Sequence, residues 1–186
     1  MFRDHIFILG GGTSFETNQF DIIHAFCVET HKWKQFRTKP DTSIVDDEQY
    51  PEPRRCHTCI QMDNLVFMFG GYDGDSIFGG TWRLDLNMMQ WRKLPYDMPE
   101  PVYFHSAVKV DDGKIYTFGG VANITENSRT NSMYSAYMKI PSLRAMCWDA
   151  VKFYSRNLDV NDSCKLFSEG IPGDLIKDLL QPDMAG

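Results

Sequence analysis

The sequence predicts an all-β fold built from repeated four-stranded antiparallel units and followed by a short helical tail. Three observations support this prediction. An apolar stretch that ends in Gly-Gly occurs three times, at 6–11, 66–71 and 115–120. Short polar turns join the last two stretches to a preceding β-like run, as in hairpins. Beyond residue 140 the apolar residues recur every three or four positions, which is typical of helices.

The Gly-Gly stretches belong to a longer repeat. Gly70 and Gly119 are 49 residues apart, whereas Gly10 and Gly70 are 60 residues apart because an acidic insertion lies between Lys39 and Pro53. A repeat of this length is typical of stacked supersecondary units. The predicted unit consists of a strand, a turn, a strand that ends in Gly-Gly, a loop, a third strand, a turn and a fourth strand.

Two further residue types keep their place in the repeat. His57 and His105 stand at the start of the first strand of their units, and Trp33 and Trp91 lie in the fourth strand of theirs. We expect both histidines to be structural. We expect both tryptophans to fill the space between adjacent units, because large aromatic residues dominate the packing of β-sheets.

This pattern resembles kelch repeats, which form the blades of a β-propeller. The first unit lacks its leading strand and the third lacks a Trp-bearing fourth strand, so residues 1–140 resemble a partial propeller of about two and a half four-stranded blades, near 1–40, 50–97 and 101–140. So few blades cannot close a ring. The resemblance therefore implies the C-terminal portion of a longer protein.

The tail, residues 141–186, carries two short apolar stripes. Leu143, Cys147 and Val151 are four residues apart and share one face of a helix, for which Ser142 is a suitable N-cap. A second helix is expected to open at Pro172. Its stripe, four residues apart, consists of Ile171, Leu175 and Leu179.

The first stripe, within 142–151, resembles the BC box that binds elongin C, and the second, 171–179, resembles the cullin-2 box. In this order they resemble a VHL-type box. Together with kelch repeats they resemble the kelch domain-containing protein 10 family of substrate receptors. The resemblance implies an elongin C contact through Leu143, Met146, Cys147 and Val151, and a cullin-2 contact through Ile171, Pro172, Leu175 and Leu179.

The same resemblance implies a non-catalytic adaptor that brings a protein substrate to elongin B/C, cullin-2 and a RING subunit. Related receptors read the C-terminal tails of their substrates. Arg54 and Arg55, just before a leading strand, suit a substrate carboxylate. The alternative is a kelch scaffold without ligase association, whose tail is only structural. A third class, a propeller enzyme of the oxidase type, needs metal ligands near the propeller axis.

Composition and charge restrict the partners. A formal charge of −6 argues against a sequence-independent grip on nucleic acid, and no apolar run has the length of a membrane span. Five cysteines without a framework spacing indicate reduced thiols and a cytoplasmic or nuclear location. The segment 56–59 holds Cys, His and Cys, but no second such pair suits zinc, and Cys147 has no base near it. We therefore expect no metal, no cofactor and no catalytic residue.

Overall fold

The computed structural model describes residues 2–44, 49–110, 113–154, 162–168, 170–173 and 176. The chain divides into two compact units, residues 1–140 and residues 141–186. The first unit is built from antiparallel β-sheets, and the helices α1 (Leu143–Tyr154) and α2 (Ser163–Ser168) belong to the second. Among the described residues, no helix is long and apolar enough to cross a membrane.

The first unit contains one sheet for each repeat. The first sheet holds β1 (His5–Ile8), β2 (Ile22–Cys27) and β3 (Lys32–Arg37) in that order. The second holds β4 (Thr58–Met62), β5 (Leu65–Phe69), β6 (Gly80–Asp85) and β7 (Gln90–Asp97), again in sequence order. This four-stranded meander is the complete unit that the repeat predicts.

The third sheet is built from three strands and carries an inserted hairpin. The strands β8 (Ser106–Lys109) and β9 (Lys114–Phe118) are followed by the hairpin β10 (Val121–Asn123) and β11 (Ser128–Arg129), and then by β12 (Met133–Tyr137). The sheet order is β12-β9-β8, so β12 lies at its edge among the described strands. The prediction of an all-β partial propeller with a short helical tail is confirmed, and the described sheets close no ring.

The first and second sheets are joined by a core around Trp91. The Trp91 ring, on β7, meets the Phe20 ring edge-on at a centroid distance of 5.4 Å, and its Nε1–H donates to the Phe20 carbonyl oxygen at 3.2 Å. Lys39 adds backbone contacts, since its carbonyl accepts the Trp91 N–H at 3.0 Å. A second core joins the second and third sheets and consists of Ile60, Met62, Phe67, Phe69 and Ile115.

The glycine pairs lie where neighbouring sheets crowd together. Gly70 has a φ of +67°, and a Cβ there would lie 2.4 Å from Cε1 of His105 and 2.5 Å from the Val102 carbonyl oxygen. Glycine is thus required at this position both by the backbone conformation and by the space available. The inner strands β4 and β8 of the two units also contact each other.

The prediction that Trp33 packs between sheets is wrong. Its side chain is 61% exposed, whereas Trp91, at the same repeat position, is fully buried. The cover over Trp91 comes from the preceding repeat, through Phe20 and Lys39. Trp33 lies on β3, an edge strand of the first sheet, and its ring contacts the Phe26 ring of the same sheet at a centroid distance of 5.4 Å.

Candidate functional site

The first candidate surface is the start of α1. Ser142 caps this helix as predicted, because its Oγ accepts the Ala145 N–H at 3.1 Å. Three of the predicted elongin C contacts, Leu143, Met146 and Cys147, are exposed, with exposed fractions of 77% for Leu143 and 42% for Met146. An exposed apolar surface at a capped helix start is suited to helix-in-groove recognition.

Val151 and Ile171 lie elsewhere, in a small core of the tail itself. Ile171 is buried together with Leu166 and Ile176, and Val151 packs against them. Gly170, with a φ of +82°, ends α2 in a Schellman motif, in which the Ile171 N–H reaches the Leu166 carbonyl at 3.1 Å. The sequence spacing placed these residues on helical faces but did not show that the tail buries them.

The predicted cullin contacts are only partly described. Pro172 is exposed, and its carbonyl accepts the Ile176 N–H at 3.1 Å, so a helical turn follows it. Leu175 and Leu179 lie outside the described residues. The assignments of all eight tail residues to elongin C or cullin-2 stay predictions. The burial of Ile171 and the packing of the partly buried Val151 against the same core make these two the weakest candidates for direct contact.

The second candidate surface surrounds Arg54 and Arg55, which precede β4 and differ in their exposure to solvent. Arg54 is fully buried and forms an ion pair with Glu52. It also donates from Nη1 to the Gly70 carbonyl at 3.2 Å, and its guanidinium lies 4.3 Å from the centre of the Phe78 ring. Burial lowers the pKa of Arg54, and the charge of Glu52 opposes that shift. These contacts fit a structural role better than a substrate contact.

Arg55 is partly exposed and belongs to an aromatic row. Its guanidinium donates to the Thr13 carbonyl and lies 4.7 Å from the centre of the Tyr72 ring. Tyr72 stacks on Tyr103 at 4.1 Å, and Tyr103 contacts Phe104, which is 66% exposed. Arginine and aromatic side chains are enriched at protein interfaces. Of the two predicted arginines, Arg55 is therefore the stronger candidate for contact with a protein partner.

Sequence reasoning missed the aromatic members of this row. Arg55 and Tyr103 stand two residues before the repeated histidines, so they hold the same repeat position in consecutive units. Both form backbone bridges to the segment after a glycine pair, Arg55 to Tyr72 and Tyr103 to Val121. An alignment of the repeats could have identified this row, because equivalent loops of successive units lie side by side at one end of the sheets.

Comparison with known proteins agrees with this geometry. The family model described as KLHDC2/KLHL20/DRC7 Kelch-repeats domain matches residues 1–169, nearly the whole chain. The chain belongs to this kelch-repeat family. The glycine pairs, the buried Trp91 and the Arg55 row all lie within the residues that this family model matches.

Among curated relatives of this kelch protein, kelch domain-containing protein 10 of Homo sapiens is 42% identical over 94% of the chain. The Rattus norvegicus protein of the same name is also 42% identical over 94%, and the Drosophila melanogaster homolog is 39% identical over 90%. The chain spans about two fifths of the length of the first two relatives and 30% of the third. The sequence resemblance to this family is thus confirmed.

The repeated histidines of the kelch units lie at the contacts between sheets, where His105 is buried and His57 is half-buried. His57 lies against Gly71, and His105 lies against Gly70 and Gly120. Burial lowers the pKa of His57 to about 4, with a contribution from the Arg54 charge, and burial lowers the pKa of His105 to about 4. Both imidazoles are therefore neutral in the folded protein at neutral pH.

We expect acid to destabilise the kelch unit through these histidines before its carboxylates matter. Because the folded pKa values lie below the unfolded value of about 6.5, the unfolded chain binds more protons between pH 6.5 and 4. Stability is full above pH 6.5 and falls by about 1–3 kcal/mol per histidine as the pH drops to 4. Urea unfolding at pH 7.5, 6, 5 and 4 measures how the free energy of unfolding changes with pH. A flat profile between pH 7 and 5 would contradict it.

No group of three His, Cys, Asp or Glu side chains suited to hold a metal ion occurs among the residues that the structure describes. His57 packs against the glycine pair that follows β5, and His105 packs against glycines of the second and third repeats. Cys147 is exposed on α1 rather than set against a base. The kelch repeats themselves imply a protein-binding role for this chain.

Proposed function

We propose that this chain is the substrate-recognition subunit of a cullin-2–elongin B/C ubiquitin ligase. The kelch repeats bind a protein substrate, and the tail binds the ligase. The observation that carries the proposal is the apolar surface at the start of α1, where Leu143, Met146 and Cys147 are exposed on a helix capped by Ser142. An apolar helix face of this kind fits a hydrophobic groove on a partner. We expect such a receptor in the cytoplasm or the nucleus.

The kelch side of the proposal rests on the row of Arg55, Tyr72, Tyr103 and Phe104. A guanidinium flanked by aromatic rings can bind the terminal carboxylate of a substrate and pack on its last side chains. The row lies within one compact unit and has the exposed Phe104 at its end.

The second candidate function is a kelch scaffold whose tail serves only its own packing. The burial of Ile171 and the packing of Val151 on Leu166 favour it, because two residues of the predicted boxes are used inside the tail. Size-exclusion chromatography of the chain with purified elongin B/C distinguishes the two functions. Co-elution of the complex with the chain supports the receptor, and its absence with a folded chain supports the scaffold.

We expect Pro172→Ala to weaken cullin-2 binding about fivefold to tenfold while elongin C binding is retained. Pro172 is exposed beside the buried Ile171, so its ring is available to a partner without a role in the tail core. The loss corresponds to about 1 kcal/mol. Affinity measurements of the preformed elongin B/C complex for cullin-2 test this, with Ser168→Ala as the exposed control. Undiminished cullin-2 binding by the variant would show that Pro172 is not part of the cullin-2 contact.

A further inference from the structure

The acidic insertion of the first repeat, between Lys39 and Pro53, begins along β7, which is an edge strand of the second sheet. The Lys39 carbonyl accepts the Trp91 N–H at 3.0 Å. Two residues later, Oδ2 of the Asp41 carboxylate accepts the Lys93 N–H at 2.9 Å. N–H groups on the open side of an edge strand otherwise meet solvent or another chain. The start of the insertion therefore covers the edge of the second sheet.

Asp41 fastens this cover through its side chain. The residue is only 3% exposed, and its second carboxylate oxygen, Oδ1, accepts both the Ser43 N–H at 2.9 Å and the Ser43 hydroxyl at 2.6 Å. This turn is of the Asx type. Burial raises the pKa of Asp41, but the hydrogen bonds from Ser43 and Lys93 outweigh burial. The charge of Arg92 adds to the lowering of this pKa, so the carboxylate is ionised at neutral pH.

Ser43 combines this contact with a position at the surface. The residue is exposed, although its hydroxyl is bonded to the buried Asp41. In the sequence, acidic residues follow Ser43 at the third, fourth and fifth positions, as Asp46, Asp47 and Glu48. These three lie outside the described residues, and their charge and order in the sequence are sufficient for the point. A serine followed by carboxylates complements a kinase with a basic substrate groove.

We propose that Ser43 is a phosphorylation site for a serine kinase that recognises acidic residues after its target, and that the phosphate releases Asp41 from β7. The Ser43 Oγ attacks the γ-phosphorus of ATP. A bond forms between Oγ and phosphorus, the bond from that phosphorus to the β,γ-bridging oxygen breaks, ADP leaves, and the hydroxyl proton passes to a base of the kinase.

The phosphate disrupts the turn for two physical reasons. It replaces the hydroxyl hydrogen of Ser43, so Oγ no longer donates to Asp41. It also brings a charge of about −1.5 to −2 at pH 7 next to a buried carboxylate, and like charges repel. The Asp41 side chain therefore leaves its place beside β7, and the Lys93 N–H loses its acceptor.

The release is local, because backbone bonds hold the rest of the insertion. The Trp91 N–H binds the Lys39 carbonyl, which does not involve the Asp41 side chain. The Asp41 N–H binds the Gln49 carbonyl at 2.7 Å, which joins the two ends of the insertion. Phosphorylation therefore opens one part of the β7 edge, at Lys93, and leaves the bond at Trp91 in place.

The first experiment treats the 186-residue chain with ATP and casein kinase 2 as the probe enzyme, and locates phosphate by fragment mass spectrometry. We expect phosphate on Ser43 and none at this position in Ser43→Ala. Thr42→Val, which removes the neighbouring exposed hydroxyl, is the matched control and should be phosphorylated at the normal rate. Combined Asp46→Asn, Asp47→Asn and Glu48→Gln should slow the reaction about tenfold, as for the loss of several exposed ion pairs. Absence of phosphate on Ser43 overturns the proposal.

The second experiment measures amide hydrogen exchange by NMR in the phosphorylated and the unmodified chain. The Lys93 amide should exchange at least about tenfold faster after phosphorylation, as for the loss of a hydrogen bond to a charged group, whereas the Trp91 amide should be unchanged. Ser43→Ala should leave the exchange of Lys93 nearly unchanged, since it brings no charge to Asp41. Unchanged or slower exchange of Lys93 in the phosphorylated chain, as for a phosphate that pairs with Arg92 and tightens the turn, overturns the proposal.

Discussion

Leu143→Ala combined with Cys147→Phe should abolish the binding of elongin C to this chain. Leu143 is 77% exposed at the start of α1, so its side chain is available as an anchor for a partner groove. Its removal should cost about 2 kcal/mol or more if it is a hot spot. Cys147 is exposed one turn later, and a Phe there overfills a close helix contact. Binding should fall by at least about 30-fold.

The control for this experiment is Phe167→Ala, because Phe167 is a 70% exposed apolar residue on α2 of the same tail. It should retain elongin C binding. Urea unfolding of the kelch unit should be the same for both variants, since neither changes a residue of the β-sheets. Normal elongin C binding by the double variant would show that the exposed face of α1 is not the contact, and the scaffold function would then be the better account of the chain.

The fold could be predicted from the sequence because short-range sequence features define the kelch repeat. Gly-Gly pairs, polar turns and a Trp-bearing strand each report on a few neighbouring residues, and their common period supplies the architecture. The structure adds the physical reason for one of them, since a side chain at Gly70 would collide with His105. The helix start at Ser142 was readable for the same reason.

The candidate sites were less predictable because burial depends on residues far away in the sequence. Arg54 and Arg55 are adjacent and chemically alike, yet one is enclosed by Glu52 and Phe78 and the other reaches Tyr72. Spacing placed Ile171 on a helical stripe, but only the structure shows that Leu166 covers it. Periodicity identifies which residues share a face, and packing decides whether that face is turned to a partner or to the core.

Trp91→Ala should destabilise the kelch unit by about 3–5 kcal/mol, as expected for a fully buried aromatic residue. The truncation opens a cavity in the core shared by the first and second sheets and removes the Nε1–H bond to the Phe20 carbonyl. That carbonyl keeps one donor, because the Thr38 hydroxyl also binds it at 2.6 Å. The cavity is therefore the main source of the loss. Equilibrium unfolding in urea measures the change in free energy.

Trp33→Ala is the matched control, because Trp33 holds the same repeat position but is 61% exposed. Its ring contacts the Phe26 ring at the surface of the first sheet, so we expect a loss of about 1 kcal/mol or less. The difference between the two variants measures what the preceding repeat contributes by covering a tryptophan. Equal losses in the free energy of unfolding would mean that each tryptophan stabilises only its own sheet. The contact with the preceding repeat would then add no stability. A much larger loss for Trp91 would show that the contact between consecutive repeats stabilises the array.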